Sequence, residues 1–200
     1  REMLKLSFTL IITVAIIVSA GSFFYSYQLM DLLYESHKLE SAQVFRVLML
    51  GFMAVSTTYI FGTLLTANGS LKELNIISLA GLLINLGMNF WLIPKLLAEG
   101  SAYASLLTQC VTAILQVAIV MKIFRFNVSY RYLFTLLAYA GGVTFFNYIS
   151  LKMTLDLPGL SARLSWLPGF TLAVLFSFLL AVALRLLSLK SLMNILRSDR

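Results

Sequence analysis

LLTANGSLKELNIISLAGLLINLGMNFWLIPKLLAEGSAYASLLTQ, residues 64 to 109, holds one whole uncharged stretch (74 to 94) and the start of another (100 to 121), divided by Lys95 and Glu99. A helix rises about 1.5 Å per residue and the hydrocarbon core of a bilayer is about 30 Å thick, so ~20 apolar residues span it. Both stretches are that long. Ahead of them, Asn68-Gly69-Ser70 is a turn cluster in which Gly69 can take the positive φ that ends a helix. Pro94 lacks an N–H and restricts the residue before it, which predicts that the helix stops at Ile93. A short loop, Lys95 to Gly100, then leads to a helix opening on Gly100-Ser101-Ala102, small residues that let backbones approach closely in lipid.

The same pattern extends in both directions. Uncharged runs cover 6 to 30, 47 to 71, 74 to 94, 100 to 121, 132 to 151 and 164 to 184. The 200 residues are 60% hydrophobic and 12% charged, against about 25% charged in a soluble domain. Lipid leaves backbone groups no water to bond, so spans must be helices or closed barrels, and the runs lack the alternating ten-residue strands of a barrel. The reading is an all-α, polytopic integral membrane protein with six transmembrane helices, at about 4–27, 42–67, 73–93, 100–122, 130–151 and 166–184. Residues 1–184 form this membrane region. Residues 185–200, with leucines set among basic residues, read as an amphipathic basic tail on the cytoplasmic membrane surface.

The net charge of +7 reflects topology, with no basic cluster interleaved with aromatic platforms to suggest nucleic acid. Alternating the loops puts Arg1, Lys5, Lys72, Lys122, Arg125, Arg131, Arg185, Lys190, Arg197 and Arg200 on one side, and only Lys38, Arg46, Lys95, Lys152 and Arg163 on the other. Cytoplasmic loops collect Lys and Arg, so both termini are expected to be cytoplasmic. Arg1, Lys5 and Val18-Ser19-Ala20 imitate a cleavable signal peptide, but the apolar stretch runs on through Phe23, Phe24 and Tyr25 and five further spans follow. Cys110 stands alone and reads as a packing residue.

Little in the chain points to an enzyme. His37 is the one histidine and lies in the polar connection from Asp31 to Ser41 without ligand-spaced companions, so no metal, cofactor or catalytic residue is assigned. The uncharged spans contain no carboxylate that could serve a proton relay. Their informative polar residues are neutral. Ser78, Gly81, Asn85 and Asn89 share one helical face, and Gln109, Thr112 and Gln116 share another. Such stripes make interhelical hydrogen bonds or line a hydrated path. Arg46, one turn inside its span, can meet an anionic headgroup or substrate or can snorkel to the interface. Asn147, near a helix end, reads as interfacial or substrate-facing. The substrate-contact candidates are Arg46, Asn85, Asn89, Gln109 and Gln116.

The 64–109 stretch also resembles the bacterial polysaccharide biosynthesis flippases of the multidrug, oligosaccharidyl-lipid and polysaccharide exporter superfamily. The matching features are a turn with Leu65, Ala67 and Gly69; paired Asn85 and Asn89 before Leu92-Ile93-Pro94; and the small-residue start Gly100, Ala102 and Ala104. Lys95-Leu96-Leu97 departs from a glycine common after that proline, and Ser101 replaces a small apolar residue. The resemblance covers about residues 28 to 125; the last two helices match in count and hydropathy. It implies a carboxyl-terminal portion of a twelve- to fourteen-helix, two-bundle transporter, with the amino-terminal bundle as partner. It further implies a role in the bacterial inner membrane, flipping undecaprenyl-diphosphate-linked polysaccharide or O-antigen repeat units by alternating access, a step in lipopolysaccharide assembly. Lipid-linked oligosaccharide and membrane lipids would be the partners, the last helix pair would form a groove for the lipid tail, and no cofactor is implied. The competing expectations are a cation-coupled multidrug exporter of the same superfamily, which calls for intramembrane acids, and a small six-helix membrane assembly protein.

Overall fold

A computed structural model describes residues 2–125, 129–152 and 164–187. Among them the chain forms six helices: α1 (Glu2–Phe24), α2 (Ser26–Leu33), α3 (Lys38–Ala67), α4 (Leu71–Phe124), α5 (Tyr130–Lys152) and α6 (Leu167–Ala183). Four of these, α1, α3, α4 and α5, against the six spans expected from the sequence, are long and apolar enough to cross a membrane, and α6, the expected sixth span, is a shorter apolar helix. The described residues are thus all-helical, with several helices that fit membrane spans. The expected boundaries differ in three places. The first span breaks at Tyr25, and α2 carries helix on to Leu33. The polar Asp31–Ser41 connection is therefore mostly helical, leaving only residues 34–37 outside it. In the tail, Arg185 takes φ 55, and Leu186 and Leu187 turn back to bond the Ala181 carbonyl and bury themselves in the core; residues 188–200 lie outside the described residues.

The third difference concerns Pro94. Helical structure continues through it, and the two expected helices 73–93 and 100–122 are the two arms of the 54-residue α4, with the proline inside the first arm. Lipid-embedded helices tolerate such a proline because local adjustments re-satisfy the freed carbonyl. The reversal comes three residues later, at Leu97, with φ 51 and ψ −126. A straight helix of that length would reach ~81 Å at 1.5 Å per residue, far beyond a bilayer. Instead α4 folds back on itself. Gly81 lies against Thr112, Asn85 bonds Thr108, and Gly100 sits on the Leu92 carbonyl. Rising numbers on the first arm meet falling numbers on the second, as two antiparallel arms require.

Pairwise contacts give the remaining directions. Phe8 meets Phe61 and the Ser19 hydroxyl bonds the Met49 carbonyl, so α1 and α3 are antiparallel. Gly51 faces Leu106 and Gly62 faces Gln116, so α3 runs parallel to the second arm of α4. Thr9 bonds Tyr132 and Tyr25 bonds Ser150, so α1 and α5 are parallel; Tyr139 bonds Ser177 and Ser150 bonds Gly169, so α5 and α6 are antiparallel. The α3–α4 turn closes by a glycine motif, with Gly69 at φ 75, its N–H on the Thr66 carbonyl and the Ser70 N–H on the Leu65 carbonyl.

One helix organises the packing. Of the most apolar part of α1, 39% is buried within the chain, against 11% for α4. α1 touches α2, α3, α5 and α6, whereas α4 packs chiefly on α3. Ile12 and Ile16 join Tyr139, Val143, Ala181, Leu186 and Leu187 in the core. At one end, Ser150 donates to the Gly169 carbonyl at 2.5 Å while the Tyr25 hydroxyl bonds Ser150 at 2.9 Å, and Trp166 and Phe170 ring Tyr25. Gly169 makes this junction possible, because a Cβ there would meet the Ser150 carbonyl at 3.1 Å and the Tyr25 hydroxyl at 3.3 Å.

Candidate functional site

The two polar stripes of α4 face one another. Because the arms are antiparallel, the stripe of Ser78, Gly81 and Asn85 meets that of Thr108, Gln109, Thr112 and Gln116, and α3 adds Thr58 from the side. Together with Ile77 and Leu82 these residues line a groove of about 380 Å³. Small-molecule sites commonly run from about 300 to 1,000 Å³, so the volume suits a small ligand or part of a large one. Seven of the ten lining residues carry hydroxyl or amide groups, and none is ionisable.

Backbone proximity shapes the groove. Gly81 has no side chain because a Cβ would lie 2.7 Å from the Thr112 methyl, and this closeness brings the two stripes within reach. Asn85 then spans the arms, its Nδ2 donating to Thr108 Oγ1 at 3.4 Å. Asn89 stands one turn along and donates at 2.9 Å to both the carbonyl and the Oδ1 of Asn85, which holds the Asn85 amide in place. Asn89 is a positioning residue beside the groove and does not line it. Gln116 is only 4% exposed and lies against Gly62 of α3, whose missing side chain makes room for the amide. Its Oε1 is buried with no hydrogen-bond partner.

Of the five candidate residues, the structure brings Asn85, Gln109 and Gln116 into the groove, places Asn89 behind Asn85, and puts Arg46 elsewhere. Arg46 sits where α3 meets α1 and α2. Its Nε donates to Ser26 Oγ at 3.2 Å and its guanidinium lies 5.1 Å from the centre of the Phe23 ring. Asn147, read as interfacial or substrate-facing, is 2% exposed and donates to the Val143 carbonyl, so it faces protein. His37 is exposed at the start of α3, 3.9 Å from Glu40, and no cluster of His, Cys, Asp or Glu that could hold a metal exists among the described residues.

Sequence reasoning missed two polar lining residues, besides the apolar Ile77 and Leu82. Thr108 is one helical turn before Thr112 and two before Gln116, so its membership of that stripe was legible in the spacing. Thr58 carried no signal, being one of several Ser and Thr residues spread around α3. Most of these, Thr58 included, bond the carbonyl four residues back. No family model matches the chain, and no curated protein matches it.

Proposed function

We propose that the chain belongs to a transporter of the bacterial inner membrane that flips undecaprenyl-diphosphate-linked polysaccharide or O-antigen units by alternating access. In this reading the membrane is crossed six times, by α1, α3, the two arms of α4, α5 and α6, with both ends of the segment cytoplasmic. One observation carries it: a groove of hydroxyl and amide groups lies between helices of membrane length. Acyl chains cannot satisfy such groups, and polar side chains at membrane depth mark substrate paths or protein-enclosed cavities. A passing sugar needs neutral hydrogen-bonding partners that release it again. The groove also offers no acid for proton coupling, which favours this reading over a cation-coupled drug exporter whose acids lie here.

The test is depletion of the protein in the cell that makes it. Lipid-linked sugar units are then expected to accumulate on the cytoplasmic leaflet, measured by their accessibility to a glycosidase in inside-out against right-side-out vesicles, while surface polysaccharide falls. Normal export after depletion would refute the proposal.

A further inference from the structure

Arg46 is held on two sides and open on a third. Ser26 Oγ accepts from its Nε and the Phe23 ring lies under its guanidinium, so α1 and α2 fix the plane of the group. Neither terminal nitrogen has a partner among the described residues, and no carboxylate of those residues pairs with Arg46, the α2 acid Asp31 being paired with Lys38. The side chain is half-buried, yet these nitrogens reach the surface, unlike the sealed and unpartnered oxygens of Gln28 and Asn147. On the same face of α3, exposed Gln43 stands one turn nearer the helix start and exposed Leu50 one turn further in.

Three cations with aromatic partners share this level. Phe24 packs on Tyr148, whose ring carries Lys152 at 4.4 Å. Gly51 faces Leu106 on a parallel arm, which sets Arg46 level with the α4 reversal, where Lys95 lies 4.3 Å from the centre of the Trp91 ring. Toward the other end of α1, Lys5 lies over Tyr132. Lys5 and Phe23 are about 27 Å apart along α1, close to the ~30 Å of a hydrocarbon core, and cations with aromatic companions gather at its two edges. Arg46 thus stands where hydrocarbon gives way to headgroups, with an amide on the outer side and a leucine on the inner. A guanidinium there without a counter-ion is costly, and its planar fork matches a phosphate through two parallel N–H bonds. A zwitterionic headgroup brings its own ammonium to the phosphate, so an anionic one gains more. We infer that the corner of α1, α2 and α3 binds the phosphodiester of an anionic phospholipid on the two terminal nitrogens of Arg46, with an acyl chain along Leu50. This site is on the α1–α2 side of α3, away from the groove against α4. It rests on the membrane-spanning part of the transport reading and not on the sugar.

The test is native mass spectrometry of the full protein in detergent, titrated with dioleoyl phosphatidylglycerol or dioleoyl phosphatidylcholine. The tightest-bound lipid is expected to be phosphatidylglycerol, about ten-fold ahead of phosphatidylcholine. Arg46→Gln is expected to weaken it about ten-fold or more, the value of a charged hydrogen bond. Arg46→Lys keeps the charge without the fork and is expected to lose about three- to five-fold. Ser26→Ala releases Nε and is expected to lose about two- to three-fold; these two variants decide the matter if Arg46→Gln does not fold. Lys152→Gln removes an equal charge at the same level and is expected to change affinity by less than about two-fold. Equal binding of the two lipids, affinity unchanged in Arg46→Gln, or equal losses in Arg46→Gln and Lys152→Gln would each overturn the site. Displacement of the lipid by excess inorganic phosphate would overturn the phospholipid as its ligand in favour of a soluble anion. The two proposals fail separately. Lipid binding that needs Arg46, with normal export after depletion, removes the transport reading alone; export that needs the protein, with lipid binding indifferent to Arg46, removes this site alone.

Discussion

Gly100→Ala tests the reversal of α4 directly. A Cβ built on Gly100 would lie 2.5 Å from the Leu92 carbonyl oxygen, 2.7 Å from its carbon and 3.1 Å from the Ile93 nitrogen. Carbon–oxygen contacts settle at about 3.3 Å or more, so the arms must part by roughly 0.8 Å. Overpacking costs about 1–3 kcal/mol, and the obstacle here is backbone that no rotamer change can clear, so the upper end applies. Alanine returns about 0.5–1 kcal/mol of helix preference over glycine, leaving a net loss of about 2 kcal/mol. Gly87→Ala on the same helix is the control, since nothing lies within 4 Å of its Cβ position. It should gain about 0.5–1 kcal/mol, making the gap between the two variants about 3 kcal/mol. Reversible unfolding by dodecyl sulfate in mixed micelles, followed by far-ultraviolet circular dichroism, reads both values. If the two variants agree within about 0.5 kcal/mol, the close approach of the arms at Leu92 and Gly100 is wrong.

Leu97 holds φ 51 while 75% exposed, so Leu97→Gly relieves about 1–3 kcal/mol of backbone strain, returns about 0.5–1 in chain entropy and should raise stability in the same assay; a loss would contradict the reversal at this residue. Ser150→Ala removes bonds to both Tyr25 and Gly169 and should cost about 1–2 kcal/mol, with Tyr25→Phe costing about half as much; equal losses would show that the two bonds are not separate. Gly142→Ala places a Cβ 2.7 Å from the movable end of Leu180, so its unfolding midpoint should shift far less than that of Gly100→Ala. Arg46→Gln gives up the Phe23 contact and should cost about 0.5–1 kcal/mol without altering export of lipid-linked sugar; lost export at normal protein abundance would restore a substrate role to Arg46.

Much of this protein was legible along the chain because the deciding quantities are local. Hydropathy and run length mark helices of membrane length, and the Asn68-Gly69-Ser70 cluster marks a turn that the backbone makes with Gly69 at φ 75. The stripes on either side of Leu97 follow from helical spacing alone, before anything is known of what they face. Tertiary structure decided the rest. Pro94 looks like a stop because proline breaks helices in water, yet the chain turns at Leu97, where Gly100 can seat on the Leu92 carbonyl. The stripes become one groove only because Gly81 and Gly62 let Thr112 and Gln116 come close, a matter of register between arms. Arg46 went to Phe23 and Ser26, and Asn147 into the protein, for a related reason. A helix in lipid is apolar on the side that meets acyl chains and on the side that meets its neighbours, so composition cannot say which face turns inward. Small residues and their partners across the contact make that choice.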